Sequence, residues 1–263
     1  METQEELREK YNPDGSDLRR MQIRMLDILT EIEKICKKHN IPYWLSDGSL
    51  LGCVRHGGFI PWDDDLDIQM LKKDYIHFCS VVNEELPDNL AFQSSDTDEG
   101  FFLAFAKVRD LNSRIYELSF FDNYYKYHGA FVDIFPMDEC SAFWQKISTW
   151  LQWRFLFTPL QNSKGKLKGI KVRRLILNFI YKCFHISDVI FRVKKIGYPY
   201  GSTFTSRYQK ETIFPLSSGI FEGRRFPIPG DTDNYLKCLY GEDYMSLPSE
   251  SEREWHISKV EFK

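Results

Sequence analysis

The sequence predicts an α+β fold in which helices flank a mixed sheet, with a helical insertion rich in basic and aromatic residues. Apolar side chains recur at three- and four-residue spacing over 17–39, which is typical of an amphipathic helix. Residues 1–16 end in a turn-forming Asn-Pro-Asp-Gly-Ser cluster and are expected to be a loose arm. We expect three parts: a core over 1–141, the helical lobe over 142–200, and a C-terminal segment over 201–263 that completes the core's domain.

Composition indicates an ordered globular chain. Of its 263 residues, 43% are hydrophobic and 16% aromatic, enough for one domain or for one domain with an inserted lobe. The net charge of −3 argues against a nucleic-acid partner. The charged N-terminus lacks the apolar stretch of a signal peptide, and the six cysteines form no disulfide framework. These features predict a cytoplasmic protein, and its attachment to the inner face of a membrane would depend on the helical lobe.

The chain carries four carboxylates within five residues: Asp63, Asp64, Asp65 and Asp67. In an extended strand the side chains of Asp63, Asp65 and Asp67 share one face, while Leu66 and Ile68 point into a core. Crowded carboxylates are costly without a cation, and hard oxygen ligands suit Mg²⁺ or Mn²⁺. We therefore predict a metal site here. The alternative, a solvated acidic loop, has no need of apolar residues between its acids.

Upstream, Gly48 and Ser49 are expected where a strand turns into a helix that begins at Leu50. Backbone N–H groups and a hydroxyl at such a turn can hold phosphate oxygens. Together with Asp65-x-Asp67 sixteen residues after the serine, this is the layout of a polymerase-β-like nucleotidyltransferase core. Between the two halves, Arg55 and His56 are interpreted as a phosphate-binding pair, with surface residues beside a turn as the alternative.

A nucleotidyltransferase core needs a third carboxylate on a later strand, and Asp133 is the single acid in the apolar run 130–136. A buried strand has no structural use for an unpaired carboxylate. Asp133 is therefore predicted to be the third metal ligand or the general base, against a structural aspartate held by backbone donors. Lys107 lies near the basic end of an alternating strand over 101–109 and is a candidate phosphate ligand, unless it is merely solvated.

Residues 44–70 closely resemble the signature of the LicD/fukutin family. The similarity extends through 105–110, 131–138 and 238–248, and covers most of the chain outside 145–200. The resemblance implies transfer of a phospho-alcohol from a CDP-activated donor, with phosphocholine from CDP-choline as the first choice, and release of CMP. The acceptor would be a hydroxyl of a cell-surface glycan precursor, as in lipopolysaccharide, teichoic acid or capsule biosynthesis.

The catalytic residues implied are Asp65, Asp67 and Asp133, with a divalent metal at the aspartate cluster. One rival is a nucleotidyltransferase that moves NMP from an NTP to a small acceptor. A second rival is a non-catalytic glycan-binding module at a membrane surface.

The helical lobe differs in charge from the rest of the chain. Between Lys164 and Lys195 there are ten basic residues and one acid, a net charge of +9. Basic residues interleaved with Trp, Phe, Ile and Leu suit an anionic membrane surface, which would place the site beside a lipid-linked acceptor. The alternative is a lobe that packs its own core under a basic, solvated face.

Overall fold

The computed structural model describes residues 2–162, 168–253 and 256–263. Its strands are β1 (Trp44–Leu45), β2 (Asp67–Leu71), β3 (Leu90–Gln93), β4 (Ala106–Asp110), β5 (Ser113–Glu117), β6 (Phe131–Glu139), β7 (Ile196–Gly197), β8 (Arg207–Tyr208), β9 (Ser217–Phe221), β10 (Arg224–Ile228) and β11 (Ile257–Phe262). Its helices are α1 (Gln4–Tyr11), α2 (Asp17–His39), α3 (Asp47–His56), α4 (Lys72–Glu85), α5 (Ala142–Gln152), α6 (Thr158–Gln161), α7 (Lys168–Ile190), α8 (Lys210–Ile213) and α9 (Thr232–Tyr240). A π-helical turn, Trp153–Phe157, joins α5 to α6.

The central sheet has the strand order β1-β2-β6-β4-β3, and β7 and β8 extend it from the far end of β6. Strands β2 and β6 run parallel, whereas β1 with β2, β6 with β4, and β4 with β3 are antiparallel pairs. Two separate two-stranded sheets pair β9 with β10 and β5 with β11. The predicted α+β class with a mixed sheet and helices is thereby confirmed.

The central strands carry different chemistry on their two faces, because successive side chains of a strand point in opposite directions. Helices α2 and α4 pack against β2 and β6, and their apolar residues join the main core. Fully buried residues that β2, β4 and β6 contribute to this core include Ile68, Met70, Ala106, Val108, Val132 and Ile134. The alternate positions carry Asp67, Gln69, Lys107 and Asp133. The sheet therefore has an apolar face towards α2 and α4, and an opposite face that carries these polar side chains beside buried Phe131 and Phe135 of β6.

Helix α2 confirms the helix predicted from apolar spacing, and it spans Asp17–His39. The Ser16 side chain accepts a hydrogen bond from the backbone N–H of Arg19 at 3.2 Å and caps the first turn. Asn40 ends the helix in a left-handed conformation with φ 53°. The buried stripe of α2 supplies much of the main core.

The helical lobe is built from α5, the π-helical turn, α6 and α7. Its own hydrophobic cluster includes Phe157 and Leu160 before α7, with Leu177, Tyr181 and Phe184 from α7 itself. Lys164 and Lys166, which belong to the predicted basic stretch, lie outside the described residues. Among the helices that the structure describes, none is both long enough and apolar enough to cross a bilayer.

The N-terminal segment is a helix, so the prediction of a loose arm was wrong. Thr3 and Glu6 form a capping box that begins α1, and Leu7 is fully buried in the main core. The Arg253 guanidinium donates to the Tyr11 hydroxyl and pairs with Glu2, at 2.6 Å in each case. Turn-forming residues after α1 indicated the loop correctly, but the helix depends on contacts distant in sequence.

We expect Leu7→Ala to lower the free energy of unfolding by ~2–5 kcal/mol, because it removes buried side-chain volume from a well-packed core. Urea unfolding of the full chain measures this change. Glu9→Ala on the exposed side of α1 is the matched control and should have little effect. Equal, small effects of both substitutions would mean that α1 does not pack on the core.

Candidate active site

Three charged side chains form a row across three neighbouring strands. Asp67 on β2 lies opposite Asp133 on β6, and Asp133 lies opposite Lys107 on β4. The Lys107 ammonium nitrogen is 2.8 Å from Asp133 Oδ1 and 3.0 Å from Oδ2, and it donates a hydrogen bond to Oδ2. The aspartate predicted from an apolar run is therefore buried beside a second acid, with one lysine as its direct counter-charge.

The N-terminus of α3 packs against this row. Helix α3 begins at Asp47, so Gly48 and Ser49 lie within its first turn and not before it as predicted. The Ser49 hydroxyl accepts a hydrogen bond from the backbone N–H of Asp67 at 2.8 Å. A Cβ on Gly48 would lie 2.8 Å from Asp63 Oδ2, so a larger residue at this position would displace that carboxylate. The predicted phosphate-binding turn is thus the first turn of a helix beside the acids.

The acidic segment is not a regular strand over all its length. Strand β2 begins at Asp67, and the backbone of Asp63 closes a turn by donating to Ile60 O at 2.9 Å. The predicted strand alternation therefore does not apply to Asp63. It does hold after this turn, since Leu66 and Ile68 are fully buried in the core as predicted.

The Asp64 side chain binds the backbone at the start of strand β11. Its Oδ2 accepts hydrogen bonds from the backbone N–H groups of His256 at 2.7 Å and Ile257 at 2.9 Å, and its Oδ1 lies 3.0 Å from the His256 ring. This carboxylate is 1% exposed and satisfied by donors far along the chain. Its role is to join the acidic segment to the C-terminal strand.

Burial and mutual repulsion raise the pKa of the clustered acids. Burial is the largest cause for Asp63, Asp65 and Asp67, followed by neighbouring carboxylates, and the pKa of Asp65 rises to about 6. Burial also raises the pKa of Asp133, although Lys107 acts in the opposite direction. If all four acids were ionised, the cluster would hold more negative charge than Lys107 can balance.

The donor chemistry of this cluster fits a hard divalent cation. The predicted ligands Asp63, Asp65, Asp67 and Asp133 offer carboxylate oxygens, and the side chains of Asp67 and Asp133 are buried side by side on β2 and β6. In the described part of the chain, the one set of three candidate ligands whose atoms converge within 4.8 Å is Asp64, Asp65 and His256. Asp65 belongs to both groups. The assignment of the four aspartates as metal ligands stays a prediction.

A hydrogen-bond network behind Asp67 was not predicted. Gln69, two residues along β2, donates to Asp47 at 3.3 Å and to the Tyr198 hydroxyl at 2.9 Å, and it accepts from Tyr235 at 2.9 Å. Tyr198 also donates to Asp47. Strand alternation could have predicted that Gln69 shares a face with Asp67. It could not have predicted the two tyrosines, because they come from segments far away in sequence. This network orients a further carboxylate toward the cluster.

Arg55 and His56 lie at the C-terminal end of α3 and bind other parts of the protein. Arg55 donates to the backbone oxygens of Tyr244 and Ser246 at 3.0 Å each, and its Nε donates to His56 Nε2 at 2.9 Å. The other ring nitrogen of His56 lies 2.6 Å from Gln4 Oε1. These contacts tie α3 to both ends of the described chain, and a role for the pair in substrate binding stays a prediction.

The site and the sheet that positions it lie within one recognised domain. Residues 40–162 match the family model described as LicD/FKTN/FKRP, nucleotidyltransferase domain. This range contains strands β1 to β6 and all four predicted metal ligands. Residues 40–162 therefore form a domain of the LicD/FKTN/FKRP type, as the signature predicted.

Three of the relatives that the chain matches are named as transferases. The chain is 27% identical over 261 residues to the lipopolysaccharide cholinephosphotransferase LicD of Haemophilus influenzae. This match covers 91% of this chain and 95% of that protein. It is 53% identical over 34 residues to the human ribitol 5-phosphate transferase FKRP, a match of 13% of this chain and 7% of that protein. A third match, 27% over 93 residues, is to the mouse ribitol-5-phosphate transferase FKTN and covers 35% of this chain and 20% of that protein.

We expect His56 to be neutral at neutral pH. Burial, and then the neighbouring Arg55, lower the pKa of His56 from the ordinary 6.5 to about 4. The pKa of His56 is lower in the folded protein than in the unfolded chain. The contribution of neutral His56 to the free energy of unfolding is therefore complete above pH 6.5 and is lost as the pH falls towards 4. An NMR titration of the His56 ring measures the midpoint, which Arg55→Gln should raise. An ordinary midpoint would instead identify a solvated ring that is free to bind phosphate as a cation.

Proposed function

We propose that this protein transfers a phospho-alcohol, most simply phosphocholine from CDP-choline, to a hydroxyl of a cell-surface glycan precursor and releases CMP. One observation carries the proposal: β2 and β6 set Asp67 beside Asp133 in a buried cluster of acids at the first turn of a helix. The similarity to a lipopolysaccharide cholinephosphotransferase along nearly the whole chain supports the choice of reaction. A polymerase-β-like nucleotidyltransferase core is part of the proposal.

The acids would hold the metal that this reaction requires. We assign Asp65 and Asp67 as the main ligands of Mg²⁺ or Mn²⁺, with Asp63 and Asp133 beside them. A divalent ion bound there would neutralise the pyrophosphate of the donor and the departing CMP. Its positive charge would also compensate the repulsion that raises the pKa of these carboxylates.

The remaining chemistry belongs to the residues of this chain. Backbone N–H groups in the first turn of α3, at Gly48 and Ser49, are positioned to orient donor phosphates, because the N-terminus of a helix favours anions. Asp133 takes the proton of the acceptor hydroxyl. The hydroxyl oxygen then bonds to the β-phosphorus of the donor, and the bond from this phosphorus to the CMP oxygen breaks. Lys107, in contact with both Asp133 oxygens, stabilises charge on the transferred group.

A second candidate is transfer of NMP from an NTP to a small acceptor. The description of the matching family model as a nucleotidyltransferase domain favours this alternative, and the same carboxylates would serve both reactions. A non-catalytic glycan-binding module is less well supported, because buried acids that repel each other have a cost that binding alone does not require. We propose a cytoplasmic location for either enzyme, which the six free cysteines support.

A donor panel tests the function. CDP-choline, CDP-ribitol, CDP-glycerol and CTP are incubated with the full chain, Mg²⁺ or Mn²⁺ and a mixture of glycan acceptors, and CMP and pyrophosphate are quantified. We expect metal-dependent CMP release from a CDP-alcohol. Pyrophosphate release from CTP alone would replace this function with NMP transfer, and tight glycan binding without any turnover would favour the non-catalytic module.

We expect Asp67→Asn to abolish turnover while leaving the metal-free protein as stable as the wild type or more stable. The substitution removes a buried charge that other carboxylates repel, so function and stability should change in opposite directions. CMP release and thermal unfolding without metal measure the two effects. Asp14→Asn, at an exposed position, is the control for both assays. Retained turnover in Asp67→Asn would overturn the assignment of the site.

A further inference from the structure

Helix α7 is apolar on two opposite faces. Its inward face packs in the hydrophobic cluster of the lobe through Ile170, Leu177, Tyr181 and Phe184. A second stripe is 54–69% exposed and consists of Val172, Leu175, Ile176, Phe179, Ile186 and Ile190. At about 100° per residue, this stripe lies on average about 180° around the helix from the inward face. Packing within the lobe therefore cannot account for it.

Neighbouring elements extend the apolar surface with aromatic side chains. Trp150 of α5 is 60% exposed, and Trp153 and Phe155 in the π-helical turn are also exposed. Helix α5 buries polar residues, Gln145 and Ser148, on its inner side. In a water-soluble helix the opposite distribution is expected. Large aromatic side chains at the surface of a basic lobe are typical of contact with the interfacial region of a bilayer.

The exposed charges that α7 and the residues just after it contribute have one sign, although exposed Glu99 from another part of the chain pairs with Lys171 of α7. Arg173 and Lys182 are exposed on α7, and Arg192, Lys194 and Lys195 are exposed just after it. From residue 168 to residue 195 the single acid is Asp188, which is 4% exposed and accepts hydrogen bonds from the Tyr200 hydroxyl and the backbone of Ser141. The exposed part of this segment therefore combines apolar and cationic side chains without an exposed carboxylate.

We propose that the outer face of α7, with the aromatic side chains beside it, docks on an anionic lipid bilayer. The six apolar residues of the stripe enter the interfacial region, and the basic residues beside them contact lipid phosphates. A second copy of this chain fits less well. Symmetric pairing through this face would bring the same cationic side chains towards one another, with no exposed acid from α7 to compensate them. The proposal holds whichever group the enzyme transfers.

Vesicle flotation tests this docking. We expect the full chain to float with phosphatidylglycerol-containing vesicles at low salt, and to float less with pure phosphatidylcholine vesicles or at high salt. The double substitution Leu175→Gln, Phe179→Gln should lower the partition coefficient by tenfold or more, and each of Arg173→Gln and Lys182→Gln by about fivefold. Ile76→Gln, at a comparably exposed apolar residue on α4, is the matched control and should bind as the wild type does.

The chain offers a built-in probe of orientation. Cys183 lies on the outer side of α7 and Cys238 on α9, and both are exposed. A polarity-sensitive fluorophore is attached to Cys183 in a Cys238→Ser, Cys79→Ser background, and to Cys238 in a Cys183→Ser, Cys79→Ser background. On addition of phosphatidylglycerol vesicles, emission should shift to the blue for the label at 183 and stay unchanged for the label at 238.

Three results would overturn the proposal: no flotation of the wild type with anionic vesicles, undiminished flotation of the double variant, or equal spectral shifts at both labels. Concentration-dependent dimerisation that Leu175→Gln, Phe179→Gln abolishes, without any vesicle binding, would assign the face to self-association. Circular dichroism of each variant confirms that its helices are intact, so a loss of flotation reports on the surface and not on unfolding.

Discussion

The parallel pairing of β2 with β6 is the constraint on which the rest of the site depends. It aligns Asp67 with Asp133 in register, and the antiparallel partner β4 adds Lys107 to the same row. Carboxylates in this environment repel each other, so the arrangement needs a rigid support. That support is the opposite face of the same strands, where Ile68, Val132 and other fully buried side chains pack under α2 and α4. The apolar core thus holds acids that would otherwise separate.

The features of the fold and the site that depend on residues close together in sequence could be predicted, and those that depend on residues far apart could not. Local patterns predicted α2 and the buried Leu66 and Ile68, because periodicity and strand alternation are properties of neighbouring residues. A single acid inside an apolar run drew attention to Asp133, which the structure buries beside Asp67, and its part in catalysis stays a prediction. Long-range contacts decided the rest: α1 is ordered by Leu7 in a distant core, and Asp64 differs from adjacent Asp65 because its partners lie in β11. Nothing near Asp47 in sequence indicates that Tyr198 would bind it.

For the helical lobe, the sequence left a choice between an internal core and a membrane-facing surface. Helix α7 has one apolar face that is buried in a core and a second apolar face that is exposed. Leu177 and Tyr181 belong to a core, while Leu175 and Phe179, two positions earlier in each case, are exposed. Composition alone could not separate these roles, because both stripes are apolar and interleave in sequence. The lobe also contacts the site: the Gln145 side chain donates to the backbone oxygen of Tyr198, whose hydroxyl binds Asp47. A displacement of α5 would therefore move Asp47 through two hydrogen bonds, from Gln145 to the Tyr198 backbone and from the Tyr198 hydroxyl to Asp47.

The contact between Asp64 and β11 has a consequence for biosynthesis. Asp64 and His256 are separated by 192 residues, so a ribosome must pass residue 257 before the acidic segment meets the backbone donors that hold it. Until then Asp64 would stay beside Asp63 and Asp65 without its partners and add a further charge to a crowded segment. A nascent chain would therefore complete the contacts of this acidic segment only after strands β1 to β10 have been synthesised. This order delays the assembly of the acidic cluster until the elements that surround it are present.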